Sequence, residues 1–235
     1  MITAAILSYN GKEVISDCVN SIHNQSVKPT EILLIDNDSK DDCWKLVESK
    51  VDRIVHGNNE HGFITGLNLA FKEARFERVL FVSQDMILHP DCIKELAEYP
   101  INTIVEPRTF LPNGKHLHGR IYSQNFLTGI FMMSKMVFNY VGEFDVNCAP
   151  AFYEDLDYNI RAHRIGVETE CGIFAKAIHN HEMGSFHRLY GKKGISYMCR
   201  KNFWYVMKKH YLSRVFPFLY NGKIFSNNKK GAGCG

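Results

Sequence analysis

The stretch that decides the fold is residues 3–36, which read TAAILSYNGKEVISDCVNSIHNQSVKPTEILLID. Residues 3–8 form a mostly apolar run that stops at a Tyr-Asn-Gly turn signal, and residues 31–35 form a second run that stops at an aspartate. Between them, residues 12–25 carry apolar side chains at helical spacing. The stretch predicts a strand, a helix and a second strand with short connections, which is typical of an α/β sheet.

The same alternation continues to about residue 106. Further strands are expected at 53–55, 79–82 and 103–105, and helices at 41–50, 63–76 and 90–99. We therefore predict an α/β fold with a mostly parallel central sheet and helices on both faces. Ligands of such sheets bind beyond the carboxyl ends of the strands. The side chains at those ends are polar: Ser8, Tyr9, Asn10, Asp36, Asn37, Asp38, Asn58, Asn59, Ser83, Gln84 and Asp85.

After residue 106 the pattern changes. The expected elements are a hairpin turn at 112–114, a strand at 126–133, a short helix capped by Ser134, a strand at 171–178 and a long basic helix at 190–211. Residues 227–235 have the composition of a disordered segment.

One helix start in this second half is strongly acidic. Residues 151–161, AFYEDLDYNIR, place three carboxylates in the first turn of an expected helix. Such acids often only complement the helix dipole, and Asp157 with Arg161 is an ordinary i,i+4 pair. Together with Asp85 and the histidines at 179, 181 and 187, however, they could hold a divalent metal and supply a general base.

Composition and motifs exclude several classes. The 235 residues contain no apolar run long enough for a transmembrane helix, and the first residues are typical of a strand and not of a signal peptide. The seven cysteines never stand in a C-x-x-C spacing, which predicts free thiols in a cytoplasmic setting and no cysteine-based zinc site. Walker, dinucleotide-binding and hydrolase-elbow motifs are absent from the sequence.

The charge is distributed unevenly along the chain. All 25 acids precede residue 183, whereas 11 of the 28 lysines and arginines follow Glu182, among many aromatic residues. A basic, aromatic tail suggests an anionic partner, which could be a membrane surface, a phosphate-bearing substrate or nucleic acid. The alternative is a solvated helix face whose aromatic side chains pack on the body. Nucleic acid is disfavoured because the tail contains no recognised nucleic-acid module.

Several short motifs, in this order and spacing, resemble family 2 glycosyltransferases, which have the GT-A fold. ILSYN at 6–10, LIDNDS at 34–39 and NEHGFITGLN at 59–68 resemble the nucleotide-binding half, and FVSQD at 81–85, followed by HPD at 89–91, stands where the family carries its D-x-D metal motif. Thr128-Gly129, VGEFD at 141–145 and Glu154-Asp155 with Arg161 and Gly166 resemble the acceptor half. The form with a polar residue, Gln and Asp is similar to rhamnosyltransferase-like members.

The resemblance covers residues 2–190 and implies a domain organisation. Residues 1–190 would be the GT-A domain, with a nucleotide-sugar-binding half at 1–106 and an acceptor half at 107–190. Residues 191–235 would be a basic, aromatic, helical tail with possible peripheral contact to a membrane.

The implied activity is an inverting, metal-assisted transfer of a hexosyl or deoxyhexosyl group in glycan biosynthesis. The donor would be a UDP-, dTDP- or GDP-sugar, and the acceptor would be the hydroxyl of a glycan or a lipid-linked sugar. Nucleotide-sugar contacts are implied for a set of residues from the strand ends and the helix that follows them: Ser8, Tyr9, Asn10, Asp36, Asp38, Asn59, Gly62, Gly66, Asn68, Gln84 and Asp85.

The resemblance also implies roles in the chemistry. Asp85 would bind Mn²⁺ or Mg²⁺, and either His179 or His181 could complete the site, which would favour Mn²⁺. Asp155 would be the general base, and Glu154 would orient the acceptor or a neighbouring loop.

Alternatives remain for individual residues and for the whole. Asp38 could be a helix N-cap, Gly62 and Gly66 could serve a helix entry packed tightly on the sheet, and each histidine could be an ordinary loop residue. Ser83 stands where the first acid of the metal motif often is, so the chain could be an inactive nucleotide-sugar-binding or glycan-binding module. A nucleotidyltransferase is disfavoured because the loop after the first strand lacks the expected glycines.

Overall fold

The computed structural model describes residues 1–118, 126–180 and 185–212. Nine strands in these ranges form one sheet: β1 (Ile2–Ser8), β2 (Glu31–Asp36), β3 (Arg53–His56), β4 (Arg78–Ser83), β5 (Met86–Leu88), β6 (Ile104–Phe110), β7 (His116–His118), β8 (Ile130–Ser134) and β9 (Thr169–His179). Their spatial order is β3-β2-β1-β4-β8-β6-β9-β5, with β7 paired to β6.

The N-terminal strands are parallel. β1 pairs with β2 and β4, and β2 pairs with β3, all in parallel. The register places Ser8 beside Asp36, and Asp36 beside His56. The polar ends of these strands therefore meet at one edge of the sheet, as the sequence predicts. β8 runs antiparallel to β4 and begins the second half of the sheet.

Helices cover both faces of the sheet. They are α1 (Ile15–His23), α2 (Phe63–Glu73), α3 (Cys92–Ala97), α4 (Lys135–Val141), α5 (Glu154–Arg164) and α6 (Ser185–Met207), and a π-helical turn, Lys208–Leu212, extends α6. Successive side chains of a strand point to opposite faces. Accordingly, Ala4 and Ile6 pack with α1 and α3, whereas Ala5 and Leu7 pack with α2, α4 and α5.

The C-terminal helix packs on the body of the protein. Met198, Asn202, Val206 and His210, spaced four residues apart, are all buried. Val206 joins the core under α2, α4 and α5. The α/β fold with a C-terminal helix is therefore confirmed.

Some expected elements were wrong in type or extent. Residues 41–50 form two 3-10 turns, Cys43–Leu46 and Glu48–Lys50, because Asp42 takes a left-handed conformation with φ 55° and the Asp41 carboxylate accepts a hydrogen bond from the Cys43 N–H. The three-residue strand β5 was missed because so short an apolar run has no periodicity.

The strand expected at 126–133 begins only at Ile130, because the Phe126 backbone bonds to the Asn159 side chain and not to another strand. The cap by Ser134 is confirmed, since its Oγ accepts a hydrogen bond from the Val137 N–H at 3.1 Å. The disordered segment expected at 227–235 lies outside the described residues.

Within the described ranges, the helices are all too short or too polar to cross a lipid bilayer.

Candidate active site

A cleft of about 800 Å³ opens at the edge of the sheet where β1 and β4 end. Five parts of the chain surround it: the loop after β1, the loop after β4, the entry to α2, the turn at 126–129, and the start of α5. Leu189, Tyr190 and Cys199 of α6 close a further side, and Leu117 of β7 lies on the wall as well. The cleft therefore lies between the two halves that the sequence distinguishes.

Gln84 holds the loop that follows β1. Its Oε1 accepts hydrogen bonds from the Ser8 hydroxyl at 2.8 Å and from the Tyr9 N–H at 2.9 Å, and its Nε2 donates to the Tyr9 carbonyl at 2.9 Å. A Cβ on Gly11 would lie 1.9 Å from Oε1, so a side chain at that position would displace the amide. Gln84 lines the cleft, but its amide already serves to fix the Tyr9 backbone.

Ser8 and Asn10, two of the residues expected to contact the nucleotide sugar, do not line the cleft. Ser8 is fully buried, and its carbonyl accepts a hydrogen bond from the Asn37 N–H at 2.8 Å. The Asn10 side chain accepts from the Lys40 N–H at 2.7 Å, which ties the loop after β1 to the loop after β2. Tyr9 is the residue of this loop that lines the cleft.

The acids after β2 occupy different environments. Asp36 is 3% exposed, and its Oδ2 lies 3.0 Å from His56 Nδ1, while its Oδ1 is buried without a hydrogen-bond partner in the protein. Asp38 is half-exposed beside Lys40. It has a φ of 67°, and the next helical turn begins only at Cys43, so the N-cap alternative for Asp38 is wrong.

Asn37 is a cleft residue that the sequence analysis places at a strand end but gives no role. Its Nδ2 donates to Asn59 Oδ1 and to the Gly62 carbonyl, both at 2.9 Å, and its buried Oδ1 has no protein partner. Asn37, Asn59 and Gly62 all line the cleft. The Asn37 side-chain amide thus joins the end of β2 to the entry of α2. In the sequence, the one indication of a role for Asn37 is its position between Asp36 and Asp38 at the end of a strand.

Gly62, Gly66 and Asn68, at the start of α2 and within it, make close contacts with other parts of the protein. Gly62 has a φ of 62°, and a Cβ there would lie 2.6 Å from Pro150. A Cβ on Gly66 would lie 2.1 Å from Leu7, so the helix packs tightly on β1, as the packing alternative held. Asn68 is buried and exchanges hydrogen bonds of 2.8 and 3.0 Å with the Phe144 backbone. Gly62 therefore lies at the cleft, whereas Gly66 and Asn68 are absent from its lining.

Asp85 and His179 form the candidate metal position. Asp85 Oδ2 lies 3.3 Å from His179 Nε2, both residues line the cleft, and both are mostly buried. Two neighbouring ligands about 2.1 Å from an octahedral ion stand roughly 3 Å apart, so this pair could share one cation. The described residues contain no cluster of three or more acidic, histidine or cysteine ligands. The pair therefore fits a cation whose other ligands come from a substrate, and His181 lies outside the described residues.

The two carboxyls at the start of α5 differ sharply. Glu154 is buried, and Thr128 Oγ1 donates to its Oε1 at 2.6 Å, while Oε2 is buried without a hydrogen-bond partner. Burial, and then the charge of Asp155, raise the pKa of Glu154 to about 8. Asp155 also lines the cleft and is less deeply buried. At neutral pH, Glu154 is therefore largely protonated.

The turn before these carboxyls is strained and braced from α6. Phe152 and Tyr153 have φ values of 76° and 69°, which side-chain-bearing residues rarely adopt. Asn202, which is fully buried on α6, donates from Nδ2 to the carbonyls of Cys148, Ala151 and Phe152 at 2.6, 2.9 and 3.0 Å. The helix that follows the two halves in the chain thus fixes the backbone that presents Asp155.

Asp157 is a structural residue with more partners than expected. Its ion pair with Arg161 is present at 2.8 Å, which confirms the structural interpretation. Asp157 is fully buried, and its Oδ1 also lies 2.7 Å from Lys209 Nζ and 2.6 Å from His210 Nε2. These contacts join α5 to the end of α6.

Comparison with known proteins finds a partial match to a family. Residues 3–103 match the model of glycosyl transferase family 2. These residues include β1 to β5 and the loops that bear Tyr9, Asn37, Asn59 and Asp85, so the match covers one wall of the cleft. The matched residues are less than half of the chain, so the similarity in sequence to this family concerns the N-terminal part.

Related proteins share part of the sequence and most of the fold. Glycosyltransferase GlyG of Streptococcus pneumoniae is 26% identical over 102 residues, which are 41% of this chain and 34% of GlyG. S. aureus TarS has a TM-score of 0.69 at 16% identity, over 92% of this chain and 40% of TarS. The mannosyltransferase PcManGT of Pyrobaculum calidifontis, solved with GDP-Man and Mn²⁺, has a TM-score of 0.65 at 13% identity, over 88% of this chain and 64% of PcManGT. The chain thus corresponds to less than half of GlyG and TarS.

Proposed function

We propose that this protein is an inverting glycosyltransferase that moves a sugar from a nucleotide-diphosphate donor to an acceptor hydroxyl. The observation that carries the proposal is that one cleft holds both the Asp85–His179 pair and the carboxyl of Asp155. The first could hold the cation of a donor diphosphate, and the second could accept a proton. An inverting transfer needs a single carboxylate base, in contrast to glycosidases, which use two carboxyls.

The donor is proposed from neighbouring structures and from the cleft. TarS has been solved with UDP-GlcNAc and PcManGT with GDP-Man and Mn²⁺, which supports a nucleotide sugar as the ligand class. We assign the nucleotide to the wall formed by Tyr9, Asn37 and Asn59. The buried Oδ1 of Asn37, which lines this wall and has no hydrogen-bond partner in the protein, is an acceptor suited to the N–H and O–H donors of a base and ribose, whereas Asp36 does not line the cleft.

Each half of the cleft would contribute separately to the transfer. Asp155 would accept the proton of the attacking hydroxyl, and the protonated Glu154 could donate a hydrogen bond without competing as a base. Asp85 and His179 would hold Mn²⁺ or Mg²⁺, which neutralises charge on the departing nucleotide diphosphate. Selectivity for the transferred sugar would depend on side chains along the cleft wall, and a deoxyhexose, as in rhamnosyltransferase-like members, is one candidate.

Nucleotide binding that depends on Asp85 is the first test. At concentrations near 100 times Kd, a bound nucleotide adds about 2.7 kcal/mol of stability, which raises Tm by roughly 5–10 °C in a chain of this size. We expect UDP or GDP with Mn²⁺ to produce such a shift in a thermal-shift assay, and Asp85→Asn to lose most of it. Asp17→Asn, which removes an exposed acid of α1, is the matched control and should respond like the wild type.

Two results would count against this assignment. If no nucleoside diphosphate stabilises the wild type with either metal, the donor class is wrong. If Asp85→Asn retains the full metal-dependent shift, the donor class stands, but the cation does not bind at Asp85.

The brace formed by Asn202 gives a second prediction. Asn202→Ala removes the three hydrogen bonds to the turn before Asp155, and small displacements of a catalytic group can reduce rates about 100-fold. We expect kcat to fall about 10- to 100-fold while the donor KM changes little, because the nucleotide wall lies on other elements. Ser196→Ala, on an exposed position of α6, should leave both constants unchanged.

Steady-state kinetics at varied donor concentration distinguish a loss of Asp155 positioning from a general loss of protein stability. A variant that merely unfolds more readily loses active enzyme at all donor concentrations and also has a lower Tm. If Asn202→Ala keeps the wild-type kcat, or if kcat recovers at lower temperature with the folded fraction, Asn202 does not position Asp155.

A second candidate function is an inactive nucleotide-sugar-binding or glycan-binding module. The observation that favours it is Ser83, which lines the cleft where a second acid could have served the cation. Such a module would show the Asp85-dependent thermal shift but would release no nucleotide from a donor.

A further inference from the structure

The outward face of α6 carries a line of exposed aromatic side chains. Tyr197, Trp204 and Tyr211 are 63%, 56% and 46% exposed. Tyr197 and Trp204 stand seven residues apart in α6, which places them on one side of the helix about 10 Å apart at 1.5 Å per residue, and Tyr211 follows in the π-helical turn. The neighbouring positions Met198, Asn202 and Val206 are buried, so the helix has a distinct inner face and outer face.

The same outer face is positively charged. Lys193, Arg200 and Lys201 are exposed beside these aromatic residues, and Lys201 Nζ also donates to the Ala149 carbonyl at 3.5 Å. The chain has no aspartate or glutamate after Glu182, so no acid of α6 offsets these cations. The aromatic residues that do face the body are different ones: Phe203 contacts Tyr153, and Tyr205 donates to Asp145 Oδ2 at 2.7 Å. The packing alternative therefore accounts for only part of the aromatic content of the tail.

We propose that the outer face of α6, formed by Tyr197, Trp204, Tyr211 and the cations Lys193, Arg200 and Lys201, binds an anionic phospholipid surface. Tyr and Trp combine an apolar ring with a polar group and suit the boundary between headgroups and acyl chains. Lysines and arginines close to such a surface are attracted by its negative potential. Exposed rings and cations on the outer side of a convex helix can meet a plane, which favours a bilayer over a partner that needs a groove.

The position of α6 ties this surface to the cleft. Cys199 of α6 lines the cleft, and so do Leu189 and Tyr190, which precede the kink at Gly191 in this helix. A protein lying on a bilayer along α6 would hold its cleft close to the headgroups, within reach of an acceptor attached to a lipid. The binding itself needs no catalytic activity, so it can be tested even if the proposed transfer is wrong.

Cosedimentation with vesicles of two compositions tests the proposal. We expect the full chain to bind vesicles made of equal parts phosphatidylcholine and phosphatidylglycerol, and to bind pure phosphatidylcholine vesicles much more weakly. Each cation near an anionic surface contributes roughly a fivefold increase in partitioning. The triple variant Lys193→Gln, Arg200→Gln, Lys201→Gln should therefore bind the anionic vesicles roughly 100-fold less, and Trp204→Ser should also reduce binding.

The matched control removes the same charge from the opposite side of the sheet. Lys45, Lys50 and Lys94 are exposed on elements that pack with α1 and α3. Their triple change to glutamine should leave vesicle binding within a few fold of the wild type. Circular dichroism at the assay temperature shows whether each variant is folded, and the single change Trp204→Ser provides a second, milder test.

Several outcomes would overturn the proposal. These are no binding to anionic vesicles, equal binding to both compositions, or equal losses in the two triple variants, which would indicate an effect of net charge alone. Binding of an RNA oligonucleotide that depends on Lys193, Arg200 and Lys201, without vesicle binding, would assign the surface to nucleic acid instead.

Discussion

Asp155→Asn should reduce kcat about 100- to 10,000-fold while the donor still binds, because the amide cannot accept the acceptor's proton. The substitution keeps the size and shape of the side chain at the start of α5. Donor binding should persist because the nucleotide wall and Asp85 lie on other elements. The measurement is the rate of transfer at saturating donor, together with the thermal shift produced by the nucleoside diphosphate.

Glu154→Gln is the informative partner of this variant. Because the pKa of Glu154 is raised to about 8, its carboxyl is largely neutral at pH 7, and glutamine should replace it with a loss of kcat below about tenfold. Equal losses in Asp155→Asn and Glu154→Gln, or near-normal transfer by Asp155→Asn, would contradict the assignment of the base. Above pH 8, wild-type activity should fall as the buried Glu154 ionises, whereas Glu154→Gln should be spared this loss.

Asp157→Asn should reduce the free energy of unfolding by about 3 kcal/mol, the lower end of the range for breaking a buried ion pair. Asp157 is fully buried and meets Arg161, Lys209 and His210. The effect should be at the lower end because Arg161 and Lys209 are partly exposed and can regain water. Urea unfolding followed by circular dichroism measures the change.

The matched control is the exposed pair of Lys72 and Glu143, which are 2.7 Å apart and about half exposed. Glu143→Gln should cost less than about 1 kcal/mol, as surface pairs usually do. If Asp157→Asn is no worse than this control, the buried network does not stabilise the junction between α5 and α6.

The same network predicts the direction of a pH effect on stability. Burial opposes ionisation of Asp157, but the hydrogen bond from Lys209 and the charge of Arg161 outweigh it and hold its pKa below the usual 3.8. Its contribution is therefore complete above that value and is lost as the pH falls through the folded pKa. Burial also holds the pKa of His210 below 6.5, so stability should begin to decrease once the pH drops below 6.5.

The sequence predicts the cleft at the strand ends because parallel strands must place their carboxyl ends at one edge. That argument correctly brings Tyr9, Asn59 and Asp85 to the same cleft, and the family resemblance adds Asp155. It does not reveal which polar side chains are already occupied. Gln84 and Asn68 look alike in the sequence as amides near a site, yet one binds the Tyr9 backbone and the other the Phe144 backbone, 75 and 76 residues away.

The role of α6 was the least predictable part. The basic and aromatic composition of residues 191–235 predicts a separate tail. Composition does not reveal which of these side chains face the body of the protein. Asn202 acts on carbonyls 50 to 54 residues earlier, and Lys209 and His210 meet Asp157 across a similar distance. Contacts between residues so far apart in the chain produce no local pattern in the sequence. The structure reveals them because it shows α6 packed against α5.

The most direct test of the central claim is the release of nucleoside diphosphate from UDP-, GDP- and dTDP-sugars by the purified protein with Mn²⁺. We predict that one donor class is hydrolysed slowly without acceptor and faster with a suitable glycan or lipid-linked acceptor, and that Asp155→Asn abolishes the acceptor-dependent part. Failure to release nucleotide from any donor that demonstrably binds in the cleft would contradict the claim and would leave a binding module of the same fold.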